Sequence, residues 1–315
     1  MVRSPKLPGT FVAVPASLPV GRTMRAARQR QQEHGGGDGL VEARELVEAI
    51  VVKGEGLSLN AHKVLLLMIR AAGGDAWQDR WHSIAKAELT GTHRGHDRLR
   101  RILRELRAVE VRVRRMSERG VASDWEAALV SETDTELSDD ARAIVKWRFS
   151  GPMRELLRTS EIYAELRLDV VVPLESVYSL RLYELGCLHL KRQHPVWRGT
   201  KEELRAVLRV PAGAYRDWTD LRRKTLETAK AELDHIAPFI LNWQIMSRRG
   251  RSVDEVEIMF IAKDAQARAE AEAELQRSRV GRKARRNDQV DHVVDHTLQD
   301  DLDALRADKM PPKRS

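Results

Sequence analysis

Arginine and lysine gather at three places where their spacing carries meaning. Arg222, Arg223 and Lys224 follow Asp217 and Thr219, either of which can cap a helix, so the three cations fall in that helix's first turns. Arg216 stands just before the cap. Arg248, Arg249 and Arg251 surround Gly250 in SRRGRS. Arg94, Arg98, Arg101 and Arg104 recur through HRGHDRLRRILRELRAV. A guanidinium presents a planar fork of N–H donors that fits phosphate oxygens and the O6/N7 edge of guanine. Cations near a helix N-terminus oppose its macrodipole, and an anion seated there removes the conflict.

Covalent chemistry finds no matching set. A strand-nicking centre needs a His-hydrophobe-His pair and a nucleophilic tyrosine, and no such pair occurs. A helicase needs a Gly-rich phosphate loop ending in Gly-Lys-Ser/Thr, which is missing from the sequence. His292 and His296 have i,i+4 spacing beside Asp295, but no third ligand accompanies them. His93 and His96 flank Gly95 and read as cap or phosphate neighbours. No catalytic residue, metal or cofactor is expected.

The elements that position the cations repeat one plan. WHSIAKAEL reads as a supporting helix, Thr90-Gly91 as a turn, and the Arg-rich segment as a long helix. Its Leu99, Ile102, Leu103, Leu106 and Val109 form one apolar stripe. VRVRRM alternates as a strand, with a turn at Ser117 to Gly120. The acidic stretch at 123–142 reads as loop, and IVKWRFS resumes alternation. The second copy is clearer. Thr200 and Glu203 have capping-box spacing, Pro211 and Gly213 break the supporting helix, and Leu226, Ala229, Leu233 and Ile236 face inward along the long one. FILNWQIM and EVEIMFIA pair around SRRGRS. The expected fold class is α+β, predominantly helical, with tandem winged-helix domains, a device that reads a major groove.

The expected boundaries are a disordered basic arm at 1–39, whose Arg22, Arg25, Arg28 and Arg30 are available to phosphates, and a first winged helix at 40–166. A second winged helix spans 167–263, opening with a brief strand in LDVVV and an apolar helix in SVYSLRLYELGCLHL. A charged, partly helical extension fills 264–315. A net charge of +8 and a pI near 9.7 favour a polyanionic partner. No apolar run reaches the roughly 20 residues of a membrane helix, and the N-terminus lacks a signal-peptide core. The lone Cys187 reads as a core thiol in a reduced, cytoplasmic protein.

The second half resembles the iteron-binding plasmid replication initiators, a family with two winged helices. The resemblance rests on Ser176, Tyr178, Ser179, Arg181, Leu182, Tyr183, Glu184 and Leu185, and on Trp218, Asp220, Leu221, Arg222, Arg223, Leu226, Ala229 and Glu232. It covers roughly residues 40 to 263, more loosely in the first half, and the acidic stretch has no clear counterpart in it. It implies monomers bound to direct repeats of double-stranded DNA at an origin, opening of an adjacent AT-rich segment, and recruitment of the host initiator and helicase. It also implies dimers, formed through domain one, that bind an inverted repeat at the promoter. On this reading Arg222 and Arg223 reach bases. Arg216, Lys224, Arg248, Arg249 and Arg251 reach phosphate, and Arg94, Arg98 and Arg101 add contacts from domain one. A transcriptional repressor on the same fold and, further off, a nicking enzyme are the alternatives.

Overall fold

The computed structural model describes residues 20–33, 39–48, 50–53, 56–90, 96–117, 119–138, 140, 142–278 and 280–286. Helix α1 (Arg22–Glu33) is followed by strand β1 (Gly39–Ala43), the one-turn helix α2 (Arg44–Val47) and strand β2 (Ile50–Lys53). Helix α3 (Leu59–Ala72) starts at Ser58, whose Oγ accepts from Ala61 N at 3.3 Å, and stops at Gly73 with φ +56°. A side-chain cap and a positive-φ glycine thus bound the helix.

Next come β3 (His82–Ala85), α4 (Lys86–Thr90) and α5 (His96–Ala108). WHSIAKAEL is therefore not one helix. Ile84 and His82 point inward and Ser83 outward, and β3 pairs with a later strand, so sheet burial overrides helix propensity there. In α5 the expected stripe of Leu99, Ile102, Leu103 and Leu106 is buried.

Four strands follow: β4 (Glu110–Met116), β5 (Ala122–Ala128), β6 (Val130–Thr135) and β7 (Ile144–Phe149). The turn before β5 forms as expected, with Gly120 at φ +72° and its N–H donating to Ser117 O at 2.9 Å. The acidic stretch, expected as loop, instead supplies β5 and β6. Its acids are cross-strand partners of cations: Glu132 lies opposite Arg148 and Asp134 opposite Lys146. Such pairing is invisible to a search for apolar alternation.

Helix α6 (Gly151–Thr159) gives way to β8 (Tyr163–Arg167), which pairs with β1, so GPMRELLRTSEIYAEL is only half helical. The brief strand expected in LDVVV is instead a helical turn, α7 (Leu168–Val171), because Leu168, Val170 and Val171 all face the core. Helix α8 (Val177–His189), capped by Ser176, is buried almost all round, as its apolar sequence requires. Strand β9 (Val196–Thr200) and helix α9 (Lys201–Val207) join through the expected capping box. Thr200 Oγ1 accepts from Glu203 N at 3.1 Å, and Glu203 Oε2 accepts from Thr200 N at 2.8 Å. The long second-domain helix comprises α10 (Trp218–Leu221), a π-helical turn (Arg222–Glu227) and α11 (Thr228–Ile236). Strands β10 (Phe239–Arg249) and β11 (Ser252–Ala262) form a hairpin, and α12 (Ala265–Gln276) and α13 (Arg282–Arg286) follow.

Two sheets share one topology. The first has strand order β3-β7-β6 and the second β9-β11-β10, each with its first strand on the last strand of a hairpin. In both, a helix, a strand, a short helix, a long helix and a hairpin follow in order, so the winged-helix plan occurs twice. The wing of the first unit is thus β6–β7. The VRVRRM strand, expected to belong to that wing, is β4 of a separate sheet, β2-β4-β5.

Two hydrophobic cores underlie the units. The first packs α3 and α5 against Trp147 and Phe149. The second gathers α8 and α11 around Phe239 and Phe260, and also takes in Leu40, Val47 and Leu66 from the first half of the chain. The expected disordered arm is corrected at 22–33. There α1 buries Thr23 and Met24, Gly21 N donates to Arg158 O at 2.7 Å, and Thr23 N donates to Ser160 O at 3.1 Å. Gly74 makes the approach possible, because a Cβ there would lie 2.5 Å from Arg28 Cβ. Arg28 pairs with Asp75 at 3.1 Å and Arg30 with Glu165, so these two cations are engaged within the fold. The compact unit holding both winged helices ends at Leu275. Within it α12 buries Ala271 and Glu274, and Arg167 donates to both oxygens of Glu272 at 2.8 Å.

Candidate nucleic-acid interface

In the second winged helix the turn between α9 and α10 is fixed by an arginine. Arg205 Nη1 donates to Tyr215 O at 2.6 Å and Nη2 to Pro211 O at 3.3 Å. Two residues of this turn, Arg209 and Tyr215, adopt φ of 55° and 48°, a conformation costly for L side chains. Lys201 Nζ donates to Arg216 O at 3.3 Å, which leaves the exposed Arg216 side chain at the mouth of α10. Asp217 is the cap, accepting from Asp220 N at 2.8 Å; Thr219 is not. These N–H bonds hold the Asp217 carboxyl below its ordinary range.

The π turn sets what the long helix displays. Thr225, fully buried, donates from Oγ1 to Leu221 O at 2.7 Å, so the widened turn is satisfied from within. Leu221, Leu226, Ala229 and Leu233 pack inward, the last three as expected from periodicity. Arg223, Lys224, Glu227 and Thr228 are exposed, and Arg222 is half-buried. Arg223 Nη2 donates to Asp220 Oδ1 at 2.7 Å, and Arg222 Nε lies 3.0 Å from Glu227 Oε1.

The wing tip is a two-residue turn between Arg249 and Ser252, with Gly250 at φ +62°. Arg248, Arg249 and Arg251 are all exposed on it, and Arg249 reaches Asp254 at 3.3 Å. The wing base is braced by Glu257, which takes Arg198 on one oxygen and Gln244 Nε2 at 2.6 Å on the other.

The structure therefore brings Arg216, Arg222, Arg223 and Lys224 together on one helix and its approach. It sets Arg248, Arg249 and Arg251 on the wing of the same unit. Arg98 and Arg101 are exposed on α5 with Arg104, in the other unit. Arg94 lies outside the described residues, as do His93, His292 and His296. The wing of the first unit differs in kind. Its exposed residues include Glu132, Asp134, Glu136 and Asp140 against Arg142 and Lys146, a net-negative set that offers phosphate no net attraction.

Sequence reasoning missed a cluster of charge between the two units. Arg181 and Glu184 of α8 are fully buried and paired at 2.6 Å. Glu184 Oε1 also meets His62 Nε2 of α3 at 2.7 Å. Arg181 donates to Val207 O at 3.1 Å and to Val47 O, from opposite halves of the chain. Glu42 of β1 and Arg209 complete the group. Burial and the neighbouring Glu184 raise the Glu42 carboxyl well above its usual range, whereas Glu184, despite its burial, is held down by His62 and Arg181. Burial and Arg181 lower Arg209 to about 9, so it stays charged at neutral pH. Glu42, His62 and Glu184 are donors of the type that hold metals, and they lie within 4.8 Å of one another. Two guanidinium groups already face these carboxylates, so the charge that would draw a divalent cation is neutralised there. The Arg181–Glu184 motif that carried the family resemblance is thus a brace between units. Cys187 packs against the second core, and burial pushes its thiol to about 12.

Two units of helix-turn-helix and β wing, with basic residues exposed on their long helices, define a tandem winged-helix DNA-binding protein. Residues 40–187 match the first winged helix of the initiator replication proteins, and residues 200–260 match the second winged helix of the initiator Rep proteins. The chain belongs to this initiator replication protein family. Its fold is similar to a crystal structure of Pi initiator protein in complex with iteron DNA. The TM-score is 0.54 and the identity 17%, over 73% of this chain and 99% of that one. A structure of domains 2 and 3 of RctB matches at TM-score 0.39 and 9% identity, over 65% of this chain and 82% of that one. No curated protein matches significantly in sequence. Among the described residues no helix is long and apolar enough to cross a membrane.

Proposed function

We propose that this protein is a plasmid replication initiator that binds direct-repeat (iteron) DNA at an origin. The observation that carries this reading is that both winged helices of the initiator family occur in order on one chain. The basic long helix and basic wing of the second unit support it. In this reading the second unit supplies the main sequence contacts. Arg222 and Arg223 address bases, and Arg216, Lys224, Arg248, Arg249 and Arg251 address phosphate. Arg94, Arg98 and Arg101 add contacts from the first unit, which also forms the dimer. Two long helices in successive major grooves would cover about two turns of duplex, at ~10 bp per turn. The protein opens the neighbouring AT-rich segment and engages the host initiator and helicase by binding, with no chemical step of its own. As a dimer it binds an inverted repeat and represses its own promoter. Its place is the cytoplasm, on plasmid DNA.

The deciding experiment is a DNase I footprint of the purified protein on DNA flanking its gene, across a salt series. Tandem protected repeats, each about two helical turns long, are the expected result. A single protected inverted repeat would reduce the function to repression. Diffuse, strongly salt-sensitive protection would remove sequence reading altogether.

A further inference from the structure

The candidate DNA-facing cations of the second unit differ in their acidic neighbours. Both arginines assigned to bases are held by carboxylates of their own helix: Arg223 by Asp220 at 2.7 Å, and Arg222 by Glu227 at 3.0 Å. Of the cations assigned to phosphate, Arg249 meets Asp254 at 3.3 Å across the wing turn, and among the described residues no carboxylate pairs with Arg216, Lys224, Arg248 or Arg251. The second of the two pairs exists because of the π turn. On an α-helix, residues five apart diverge by roughly 140°, whereas the i→i+5 turn over Arg222–Glu227 brings its two ends to one side.

Carboxylates on a basic, DNA-facing helix carry a penalty. They reduce the attraction to every phosphate backbone, cognate or not. They also contribute little to folding, because exposed ion pairs are weak. Their effect must therefore be sought in discrimination. A guanidinium has five N–H donors. Arg222 Nε lies 3.0 Å from Glu227 Oε1 without hydrogen-bond alignment, an ion pair that leaves both terminal nitrogens available as an end-on fork. Asp220 takes one N–H of Arg223 Nη2, and the second N–H of that nitrogen stays available to form a fork with a neighbouring nitrogen. Each side chain is also held in one orientation before DNA arrives, which lowers the entropy lost on binding.

We propose that Asp220 and Glu227 are specificity determinants that hold Arg223 and Arg222 for guanine edges and away from phosphates. On a cognate base the arginine bonds guanine without leaving its carboxylate. On any other base the arginine either stays paired and idle, or leaves an acid facing the phosphates. This inference rests on the assignment of 216–236 as the base-reading segment.

The test uses the full chain and a library of duplexes about two to three helical turns long with randomised sequence. Selection with the wild type yields a consensus duplex. Binding to that consensus and to the unselected library is then measured over a KCl series for the wild type, Asp220→Asn and Glu227→Gln. Both variants should bind the unselected library at least about twofold more tightly, because a negative charge is gone. Their log–log salt slope should steepen by about 1 as an arginine turns to phosphate. The consensus-to-library ratio should fall about fivefold or more, the lower end for one arginine–guanine pair. Asp220→Glu and Glu227→Asp keep the charge and should keep most of the ratio. An unchanged ratio in the neutral variants, or an equal loss in the charge-keeping ones, would overturn the proposal. A wild type that enriches no consensus would instead overturn the base-reading assignment on which it stands.

Discussion

Arg223 and Arg248 carry the same charge in different surroundings, and their removal should read differently. Arg223→Ala should cost about 1–3 kcal/mol of discrimination between cognate and scrambled duplex, the range for a bidentate base contact. Arg248→Ala should weaken both duplexes alike and make the salt slope shallower by about 1. Filter-binding titrations at several salt concentrations separate the two, and an equal effect of Arg223→Ala on both duplexes would remove its base-reading role. Two histidines set a pH limit. Burial lowers His82 to about 4, with a smaller push from Arg80, and burial with Arg192 does the same to His189. Each is kept neutral beside aromatic rings, Trp147 and Phe149 for His82 and Phe260 for His189. The unfolded chain takes up those protons near pH 6.5 while the folded chain resists until about pH 4, so stability present above pH 6.5 is lost progressively through that window. Urea midpoints at pH 7.5 and pH 5 should differ in that direction, and His189→Phe should reduce the difference.

Among the elements, α8 and β10 meet at a contact that allows no extra atom. A Cβ on Gly186 would lie 2.3 Å from Phe239 Cζ, in a ring that also packs on Tyr183 and Phe260. Gly186→Ala should therefore cost about 1–3 kcal/mol by overpacking, measured as a lower urea midpoint with the m-value unchanged. What the sequence disclosed about the elements follows from how local their causes are. The cap at Thr200, the stripe of α5 and the alternation of the second wing all act within a few residues, and each was readable. The strands β3, β5 and β6 were not, because their partners are distant or their pairs are ionic. Helix α1 was missed because its polar sequence gains order only against Gly73, Gly74 and Ser160. At the interface the cations were legible from type and spacing. The pairing of Arg222 with Glu227 was not, since it needs a π turn that no spacing rule announces. Nor was the acidic first wing, because the basic VRVRRM strand occupied its place in the reading.

For the whole molecule, the junction holds its two halves by charge as well as by apolar contact. Glu184→Gln would leave Arg181 and Arg209 buried with one carboxylate between them, and Glu42 already resists ionisation. The expected cost is about 3–5 kcal/mol, the usual result of removing one partner from a buried pair. Differential scanning calorimetry should show it as a lower melting temperature for the unit as a whole, while a change confined to a minor transition would speak against the brace. Glu42, His62, Glu184 and Arg209 are scattered over the sequence, so only the folded chain shows that they meet. The same junction sets a rule for anyone recombining these proteins. A second winged helix cut at residue 167 and grafted onto a relative's first half would arrive with an arginine and a glutamate whose counterparts, Val47 O, Glu42 and His62, stayed behind. New sequence preferences are therefore better transplanted as the surface of one helix than as an entire domain, unless Glu42 and His62 travel with the graft.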